Sequence, residues 1–342
     1  MIEIIGKSFW LPWEPTFMIW LQKILGEVGG KIAAFFTLFG EELVIVALLG
    51  FLYWAYDKKY GEAVACTVVT GLMWNQFFKS IFVRRRPYFD HEEIRCLKAP
   101  SSGADPMDVT AQGYSFPSGH STNAAAVYPA LYAHKRKKWL LAVGITMPLL
   151  VGLSRVCLGV HYPTDVLVGW GFGLLSVIWV AWMQKHARPW VLYAIMGAVG
   201  IAGCFFARTS GYYSTLGMMF GFFGALSFEK RFVRFENTRF VPRMILRTLV
   251  GCGLFAGILN LLKLPFDPAF LAQVSFPAFL VRVLRYGIST FLAMGVYPLC
   301  FRYFDPLWNK WQAKCRRTAD ATEPAADSAA GTDPQAAAGD EK

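Results

Sequence analysis

Long apolar segments constrain this chain more than any other feature of its 342 residues. A helix that crosses a bilayer needs about 20 predominantly apolar residues, and segments of roughly that length recur through most of the sequence. Only 17% of the residues are charged, against about 25% in ordinary soluble domains. The pattern excludes a water-soluble fold and predicts an all-α, polytopic membrane helical bundle. We expect membrane spans at residues 41–56, 62–83, 118–134, 139–157, 163–184, 190–207, 212–228, 244–262 and 283–304.

The first 40 residues predict a segment of a different kind. Residues 16–39 are apolar enough to enter a membrane, but they also contain Lys23, Glu27 and Lys31. We therefore expect an interfacial or re-entrant helix in this region, and no cleaved signal peptide before it. Tryptophans are enriched at the level of the lipid headgroups, and three of them lie in this stretch: Trp10, Trp13 and Trp20.

Basic residues are concentrated in alternate loops. Clusters at residues 58–59, 135–138 and 230–243 fall on one side of the expected spans, and the opposite side carries a weaker excess. Cytoplasmic loops of membrane proteins are enriched in Lys and Arg, so the first side should be cytoplasmic. Membrane topology therefore accounts for the net charge of +11, and we expect no nucleic-acid partner. Residues 313–342, rich in Ala, Asp, Thr and Pro, have little to bury, which predicts a disordered cytoplasmic tail.

Polar residues that a membrane helix should avoid occur at four helix ends. They lie at the end of the 62–83 span, the start of the 118–134 span, the end of the 139–157 span and the start of the 163–184 span. Because successive spans run in opposite directions, these four ends face the same aqueous side and can form one pocket. That side is opposite the basic loops, so the pocket should be extracytoplasmic.

Three cations at these ends suit a phosphate group. Lys79 and Arg86 are separated by about two helical turns, so we expect them on one helix face, with Pro87 ending the helix. Arg155 adds a third charge, and guanidinium groups bind phosphate oxygens in bidentate fashion. Considered singly, a Lys or Arg at a membrane boundary more often extends its side chain to lipid headgroups.

The turn at residues 116–120 would add hydrogen-bond donors. Pro117 is suited to begin a helix, which would leave the amides of Ser118, Gly119 and His120 free to bind an anion. Considered alone, such a turn is more often an ordinary helix start.

Two histidines in the predicted pocket could act as a nucleophile and as a general acid. His161 and Asp165 are four residues apart on a helix, so the carboxylate can fix one ring nitrogen and leave the other free to attack. His120 would then be a general acid. A lone histidine at a membrane boundary is more often structural, and a metal site is the other alternative, although the nearby cations disfavour a divalent ion. The seven cysteines have no paired spacing, so they indicate neither a zinc site nor a disulfide framework.

Taken together, these residues resemble the three-part signature of the type 2 phosphatidic acid phosphatase (PAP2) family. The resemblance covers residues 41–184. The three parts are Lys79 followed after six residues by Arg86-Pro87, then Pro117-Ser118-Gly119-His120, then Ser154-Arg155 with His161 and Asp165 behind it. The implied organisation is an N-terminal segment at 1–40, a PAP2-like core at 41–188, additional transmembrane helices at 189–312 and the tail at 313–342.

The family resemblance implies a metal-independent hydrolase of phosphomonoesters or diphosphates that passes through a phosphohistidine. His161 would be the nucleophile, Asp165 would orient it, and His120 would protonate the leaving oxygen. No cofactor and no metal are implied. The phosphoryl oxygens would be held by Lys79, Arg86, Ser118, Gly119 and Arg155.

A pocket at the ends of membrane helices predicts a substrate with a phosphate at the interface and a tail in the lipid. Isoprenoid diphosphates, phosphatidic acid and phosphatidylglycerol phosphate all satisfy this description, and the enzyme would lie in the cell membrane. Two other functions remain open: a lipid phosphotransferase that uses the same intermediate, and a non-catalytic transporter or binding protein for a phospholipid. The complete set of signature residues favours the hydrolase. The sequence gives no indication of an oligomeric state.

Overall fold

Helices form nearly all the regular structure in the computed structural model, which describes residues 6–101, 103–304 and 306. Within those residues there is no β-strand beyond one isolated bridge between Lys7 and Arg84. The all-α prediction is therefore confirmed. The α-helices are α1 (Trp13–Phe36), α2 (Glu42–Gly50), α3 (Lys58–Phe82), α4 (Pro87–Asp90), α5 (Val109–Gln112), α6 (Gly119–Lys135), α7 (Lys138–Cys157), α8 (Pro163–His186), α9 (Pro189–Gly203), α10 (Ser210–Phe228), α11 (Val241–Leu261), α12 (Pro268–Ala272) and α13 (Phe276–Phe291). Short 3-10 or π-helical segments lie at Thr37–Gly40, Phe51–Tyr56, Glu229–Val233, Leu292–Val296 and Tyr297–Cys300.

Several of these helices are long and apolar enough to cross a membrane. Among the described residues, four qualify on their own: Lys138–Cys157, Pro163–His186, Val241–Leu261 and Phe276–Phe304. The pair Trp13–Gly40 and Glu42–Tyr56, bent by 43° at its break, qualifies together as a broken span or a re-entrant loop. A multi-pass membrane protein is therefore confirmed.

Four of the expected spans form helices that are too polar or too short for that test. One of them, α9, is apolar but has only 15 residues. The other three carry more polar side chains. These helices are α3, α6 and α10, and all three are largely enclosed by other helices. A helix that packs inside a bundle does not have to be soluble in lipid, so it tolerates the serines, threonines and asparagines seen here. The sequence therefore predicted where these helices lie. It did not predict which other helices enclose them, and that enclosure is what allows their polar side chains.

The contact between α6 and α8 sets the relative position of two of the signature segments. Gly169 and Gly173 on α8 face α6 so closely that a Cβ atom on Gly169 would lie 2.7 Å from the carbonyl oxygen of Ser118. A Cβ atom on Gly173 would lie 2.6 Å from that of Ala125. Small residues four apart allow such close helix packing in membrane proteins. The start of α6 is therefore held directly against the first turns of α8.

The C-terminal helices pack onto the earlier ones through α10, against α3, and through α11, against residues 42–56. Gly217 and Gly221 on α10 contact the backbone of α13, where a Cβ atom on Gly221 would lie 2.2 Å from the carbonyl oxygen of Gly287. The opposite side of α10 packs against α3. Residues up to Pro298, which include α9 to α13, form one compact unit. The predicted tail at 313–342 lies outside the described residues.

Candidate active site

Four helix ends meet at one side of the bundle formed by α3, α6, α7 and α8. The end of α3 contacts the start of α6 because Asn75 Nδ2 donates to the carbonyl oxygen of Pro117 at 3.3 Å. The starts of α6 and α8 are joined because the Ser118 amide donates to the carbonyl oxygen of Asp165 at 3.0 Å. The structure thus brings together all the residues singled out from the sequence: Lys79, Arg86, Ser118, Gly119, His120, Arg155, His161 and Asp165.

His161 precedes α8, which begins at Pro163, so it does not share a helix with Asp165 as their spacing predicted. Its imidazole is only 2% exposed. Its Nδ1 atom is 3.4 Å from Asp165 Oδ2, which is long for a hydrogen bond. Ser115 completes this contact, because its hydroxyl donates to Asp165 Oδ2 and its Oγ lies 3.3 Å from His161 Nδ1. The amide of Tyr162 also donates to Asp165 Oδ2, at 2.8 Å. Ser115 therefore joins the pair that the sequence predicted, although no sequence pattern singled it out.

The guanidinium of Arg86 lies on the other side of the same imidazole. Its Nη1 atom is 3.2 Å from His161 Nε2. A guanidinium only donates hydrogen bonds, so Nε2 must be the acceptor and the proton of a neutral ring must lie on Nδ1. The Nδ1–H group then faces Ser115 and Asp165, and Nε2 carries the lone pair. In this tautomer the nitrogen that carries the lone pair is directed at a cation.

Burial and neighbouring cations keep the His161 ring uncharged. Burial lowers the pKa of His161 well below its ordinary value of 6.5, and Arg86, Arg155 and Lys79 lower it further. A protonated ring at this position would be poorly solvated and would be repelled by these like charges. The neutral ring, with its lone pair available, is therefore favoured at neutral pH.

Lys79 and Arg86 do not lie on one helix, so the expectation from their spacing was wrong. The backbone leaves α3 at Val83, which has a left-handed φ of 45°, and Arg86 directly precedes α4. The helix ends early because residues 83–85 pair instead with Lys7, whose amide donates to the carbonyl oxygen of Val83 at 2.8 Å. Both cations still reach His161, from different elements.

Backbone carbonyl groups hold both of these cations in place. Arg86 donates to the carbonyl oxygens of residues 112–113 and of Val160, and Lys79 Nζ donates to that of Tyr114 at 2.9 Å. These bonds leave an Nη2 hydrogen of Arg86 and ammonium hydrogens of Lys79 without an acceptor among the described residues. The two buried cations are thus fixed in position while retaining donors for an anion.

Arg155 is the third cation of the site. It lies in the last turn of α7 and is 2% exposed. Its Nη1 atom donates to Thr37 Oγ1 at 2.7 Å, whereas its buried Nε atom has no hydrogen-bond partner in the described part of the chain. An unpaired buried donor is costly, and an anionic ligand would satisfy it.

The start of α6 differs from the expectation in two details. Pro117 lies before the N-cap, which is Ser118, rather than at the first helical position. The amide of Ser118 is also not free, because it donates to the carbonyl oxygen of Asp165. Close packing of α6 on α8 brings that carbonyl within reach. Gly119 and His120, the first two residues of α6, keep amides that have no acceptor within the helix.

His120 is half-buried and lies within electrostatic reach of Arg155 and His161. It packs against the segment that follows α1, where a Cβ atom on Gly40 would lie 3.0 Å from that of His120. The second imidazole is thus close enough to the first, and to Arg155 and Arg86, to interact with them electrostatically. An imidazole there can transfer a proton to or from a group bound by those cations.

Arg84 also belongs to this site, although no sequence pattern singled it out. Its Nη1 atom donates to Asp165 Oδ1 at 2.7 Å, and its Nη2 atom donates to Glu14 Oε2 at 3.0 Å. Both Arg84 and Glu14 are buried. Arg84 stands in a run of three arginines in which only Arg86 fits the signature, so spacing along the chain could not reveal its contact.

The donor set of the site is not that of a divalent metal. Among the described residues, no three His, Cys, Asp or Glu side chains are grouped so that they could hold a metal ion. The charges that surround His161 are instead fixed cations.

Comparisons with known proteins agree with this geometry. The PAP2 superfamily matches residues 59–189, and the transmembrane extension of PAP2 superfamily phosphatases matches residues 213–307. The chain is 32% identical over 183 residues to phosphatidylglycerophosphatase B of Bacillus subtilis, which covers 51% of this chain and 78% of that protein.

Other relatives carry the names of other lipid phosphatases. An undecaprenyl-diphosphatase of Sulfolobus acidocaldarius is 31% identical over 147 residues, covering 42% of this chain and 64% of that protein. A lipid A 1-phosphatase of Rhizobium johnstonii is 36% identical over 119 residues, covering 34% and 45%. No solved structure is significantly similar. The chain belongs to the PAP2 superfamily and is a membrane hydrolase of phosphoric monoesters or diphosphates.

Proposed function

We propose that this enzyme hydrolyses a lipid phosphate or isoprenoid diphosphate through a phosphohistidine formed on His161. The observation that carries the proposal is the environment of the ring. Its Nε2 atom faces Arg86 at 3.2 Å, while its Nδ1 atom faces Ser115 and Asp165. This arrangement supports Nε2 as the nucleophile.

In the first step, the Nε2 lone pair forms a bond to phosphorus and the bond from phosphorus to the leaving oxygen breaks. The leaving oxygen takes its proton from a protonated His120, so the lipid departs as an alcohol or as a monophosphate. His161 becomes positively charged when Nε2 is phosphorylated. Asp165 supports this step because its carboxylate, next to Nδ1–H, stabilises that charge.

In the second step, water attacks the phosphohistidine. Neutral His120 accepts a proton from the water, the new oxygen–phosphorus bond forms, and the bond between phosphorus and Nε2 breaks. Inorganic phosphate leaves, and His161 regains its lone pair. His120 therefore ends each cycle protonated, as the next first step requires.

The bound phosphoryl group would be held by Lys79, Arg86, Arg155 and the amide of Gly119. Phosphoryl transfer depends mainly on positioning and on neutralising charge at the non-bridging oxygens. Three buried cations with unused donors supply that neutralisation, which supports a reaction without a metal ion. Ser118 contributes through its side-chain cap on α6, since its amide is already bonded.

The substrate is proposed to be a lipid because the site lies at the ends of membrane helices. The relatives are named for phosphatidylglycerophosphate, undecaprenyl diphosphate and lipid A, which share a phosphate on a lipid. The basic loops lie at the opposite helix ends, which favours an extracytoplasmic site in the cell membrane and a cytoplasmic tail. Phosphate release from an impermeant short-chain substrate by sealed, right-side-out vesicles would test this orientation.

The deciding experiment measures phosphate release from a panel of lipid phosphates in mixed micelles that contain excess EDTA. The purified wild-type protein should release phosphate from at least one of them, and His161→Ala should abolish release. His186→Ala is the matched control, because the one hydrogen bond of that exposed histidine to a described residue is with the carbonyl oxygen of Trp182 in its own helix. We expect it to retain full activity.

Two further readouts separate the alternatives. With a radiolabelled substrate, wild-type protein should carry an acid-labile, alkali-stable label, and His161→Ala should carry none. Adding an alcohol-bearing lipid should not divert the phosphate from water, as it would in a phosphotransferase. Undiminished turnover by His161→Ala, or activity that EDTA abolishes, would contradict the proposed mechanism.

A further inference from the structure

We propose that Arg84 and Glu14 are positioning residues that fix the Asp165 carboxylate and thereby orient His161 for attack. The inference rests on the proposed function and extends it to the N-terminal helix α1, which lies outside the matched family regions. Neither residue contacts the imidazole in the hydrogen-bond network, so both would act through Asp165.

The edges of the Arg84 guanidinium are occupied by three groups that belong to two helices. Nη1 donates to Asp165 Oδ1 at 2.7 Å and to Thr164 Oγ1 at 2.8 Å, and Nη2 donates to Glu14 Oε2 at 3.0 Å. Arg84 is 1% exposed, so solvent does not compete for these bonds. Charge-assisted hydrogen bonds of this length are among the strongest in proteins.

The faces of the same guanidinium lie against aromatic rings. Its central carbon is 3.9 Å from the ring centre of Tyr162 and 4.8 Å from that of Phe9. A lysine could supply the charge but neither the flat face nor the fork of donors. The site is therefore built for an arginine and allows Arg84 little freedom to move.

Glu14 is held as firmly as the arginine that it binds. Its Oε1 atom accepts from the amide of Thr164 at 2.9 Å and from the Thr164 hydroxyl at 2.7 Å. Its Oε2 atom accepts from Arg84 and from the amide of Leu11, the latter at 2.8 Å. The carboxylate is fully buried and each oxygen has two donors. Glu14 thus joins α1 to the first turn of α8, one residue before Asp165.

The two oxygens of Asp165 have separate partners. Oδ1 accepts from Arg84, while Oδ2 accepts from Ser115 and the Tyr162 amide and faces His161. The two sets of contacts are linked, because the amide of Ser115 donates to the carbonyl oxygen of Arg84 at 2.7 Å. Two segments joined by this backbone hydrogen bond therefore supply the partners on both sides of the carboxylate. Without Arg84, Oδ1 would lose its charged donor, and the carboxylate could rotate away from the ring.

The test compares Arg84→Gln and Glu14→Gln with two matched controls. Arg85→Gln removes the neighbouring arginine, whose ion pair with Asp90 is longer and partly exposed, at 3.5 Å. Glu27→Gln removes an exposed carboxylate from the same helix as Glu14. We expect kcat of the two test variants to fall about 10- to 100-fold, the effect typical of an outer hydrogen-bond partner. KM should stay within about threefold, and both controls should match the wild type.

A double variant distinguishes positioning from a merely structural role. If Arg84 acts through Asp165, Arg84→Gln/Asp165→Ala should be no slower than Asp165→Ala alone, because the group to be positioned is already absent. Arg84→Lys should recover less than half of the lost kcat. Size-exclusion profiles and thermal unfolding identify any variant that fails to fold, and if Arg84→Gln does so, the Glu14→Gln/Asp165→Ala cycle decides.

Each outcome bears on a different claim. An active wild type whose Arg84→Gln and Glu14→Gln variants keep their kcat would overturn the positioning role, as would losses that multiply in the double variants. A wild-type protein that releases phosphate from no substrate would overturn the proposed function and this inference with it. A loss of kcat that vanishes in the Asp165→Ala background supports both.

Discussion

Ser115→Ala tests whether the histidine–carboxylate pair depends on a third group. The direct separation between His161 Nδ1 and Asp165 Oδ2 is 3.4 Å, whereas the Ser115 hydroxyl donates to that oxygen and lies 3.3 Å from the ring. Removing the hydroxyl leaves the carboxylate with Arg84 at 2.7 Å and the Tyr162 amide at 2.8 Å. The carboxylate thus keeps its charge partner but loses the hydroxyl that connects it with the ring.

The size of the effect follows from the bond that is lost. A hydrogen bond to a charged group contributes about 1.5–3 kcal/mol, and about 1.4 kcal/mol corresponds to a tenfold change in rate. Since two of the three donors to Asp165 remain, we expect the lower part of that range and a fall in kcat of about 10- to 30-fold. KM should change less than about twofold, because Ser115 is placed behind the ring rather than beside the phosphate.

The assay is steady-state phosphate release from the best lipid substrate in mixed micelles, with Ser80→Ala as the control. Ser80 is a buried serine near the end of α3 whose hydroxyl donates only to the carbonyl oxygen of Gln76 in its own helix, at 2.9 Å. An unchanged kcat in Ser115→Ala, or an equal loss in Ser80→Ala, would refute the reasoning.

Three other predictions follow from the same geometry. Asp165→Asn should lower kcat by about 100-fold or more, because an amide cannot accept from all its donors and so disfavours the required His161 tautomer; wild-type kcat would contradict this. Because the lowered pKa of His161 keeps the ring neutral in mild acid, the acidic limb of log kcat/KM should lie below pH 6.5 after correction for substrate ionisation, and a limb above it would count against the nucleophile. Gly169→Ala should lower both kcat and the unfolding temperature, since its Cβ atom would lie 2.7 Å from the Ser118 carbonyl oxygen; Gly171→Ala, with open space around it, is the control.

The sequence predicted the helices, and predicted that four helix ends meet on one side, because both depend on short-range features of the sequence. Apolar length locates a membrane helix, and the alternation of direction between spans decides which ends share a side. The family assignment is confirmed by the matches at residues 59–189 and 213–307. The chemical roles of His161, His120 and Asp165 stay predictions, which the variants above test.

Spacing failed where the backbone departs from a helix. The seven-residue interval from Lys79 to Arg86 is typical of one helix face, but the helix ends at Val83. The backbone of residues 83–85 hydrogen-bonds to the backbone of Lys7 instead of continuing the helix. The interaction that ends α3 comes from a segment more than 70 residues away, so no local pattern records it. The same holds for the Ser118 amide, whose acceptor is a carbonyl on α8.

The residues that sequence analysis missed share one property. Ser115, Arg84 and Glu14 bind one another or Asp165 rather than lying next to a signature residue at helical spacing. Serine, arginine and glutamate are common near membrane boundaries, and nothing in their local context marks them as buried. Only the folded arrangement distinguishes them from the half-buried Arg85 and the exposed Glu27.

The position of α10 limits how this enzyme could be shortened. Helix α3 carries an amide side chain toward α10, where Gln76 Oε1 would lie 3.1 Å from a Cβ atom on Gly211. A fragment that stopped after α8 would expose this amide to lipid acyl chains, which cannot hydrogen-bond to it. The later helices therefore separate α3 from lipid, and a truncated protein that lacks them would need another protein surface in their place.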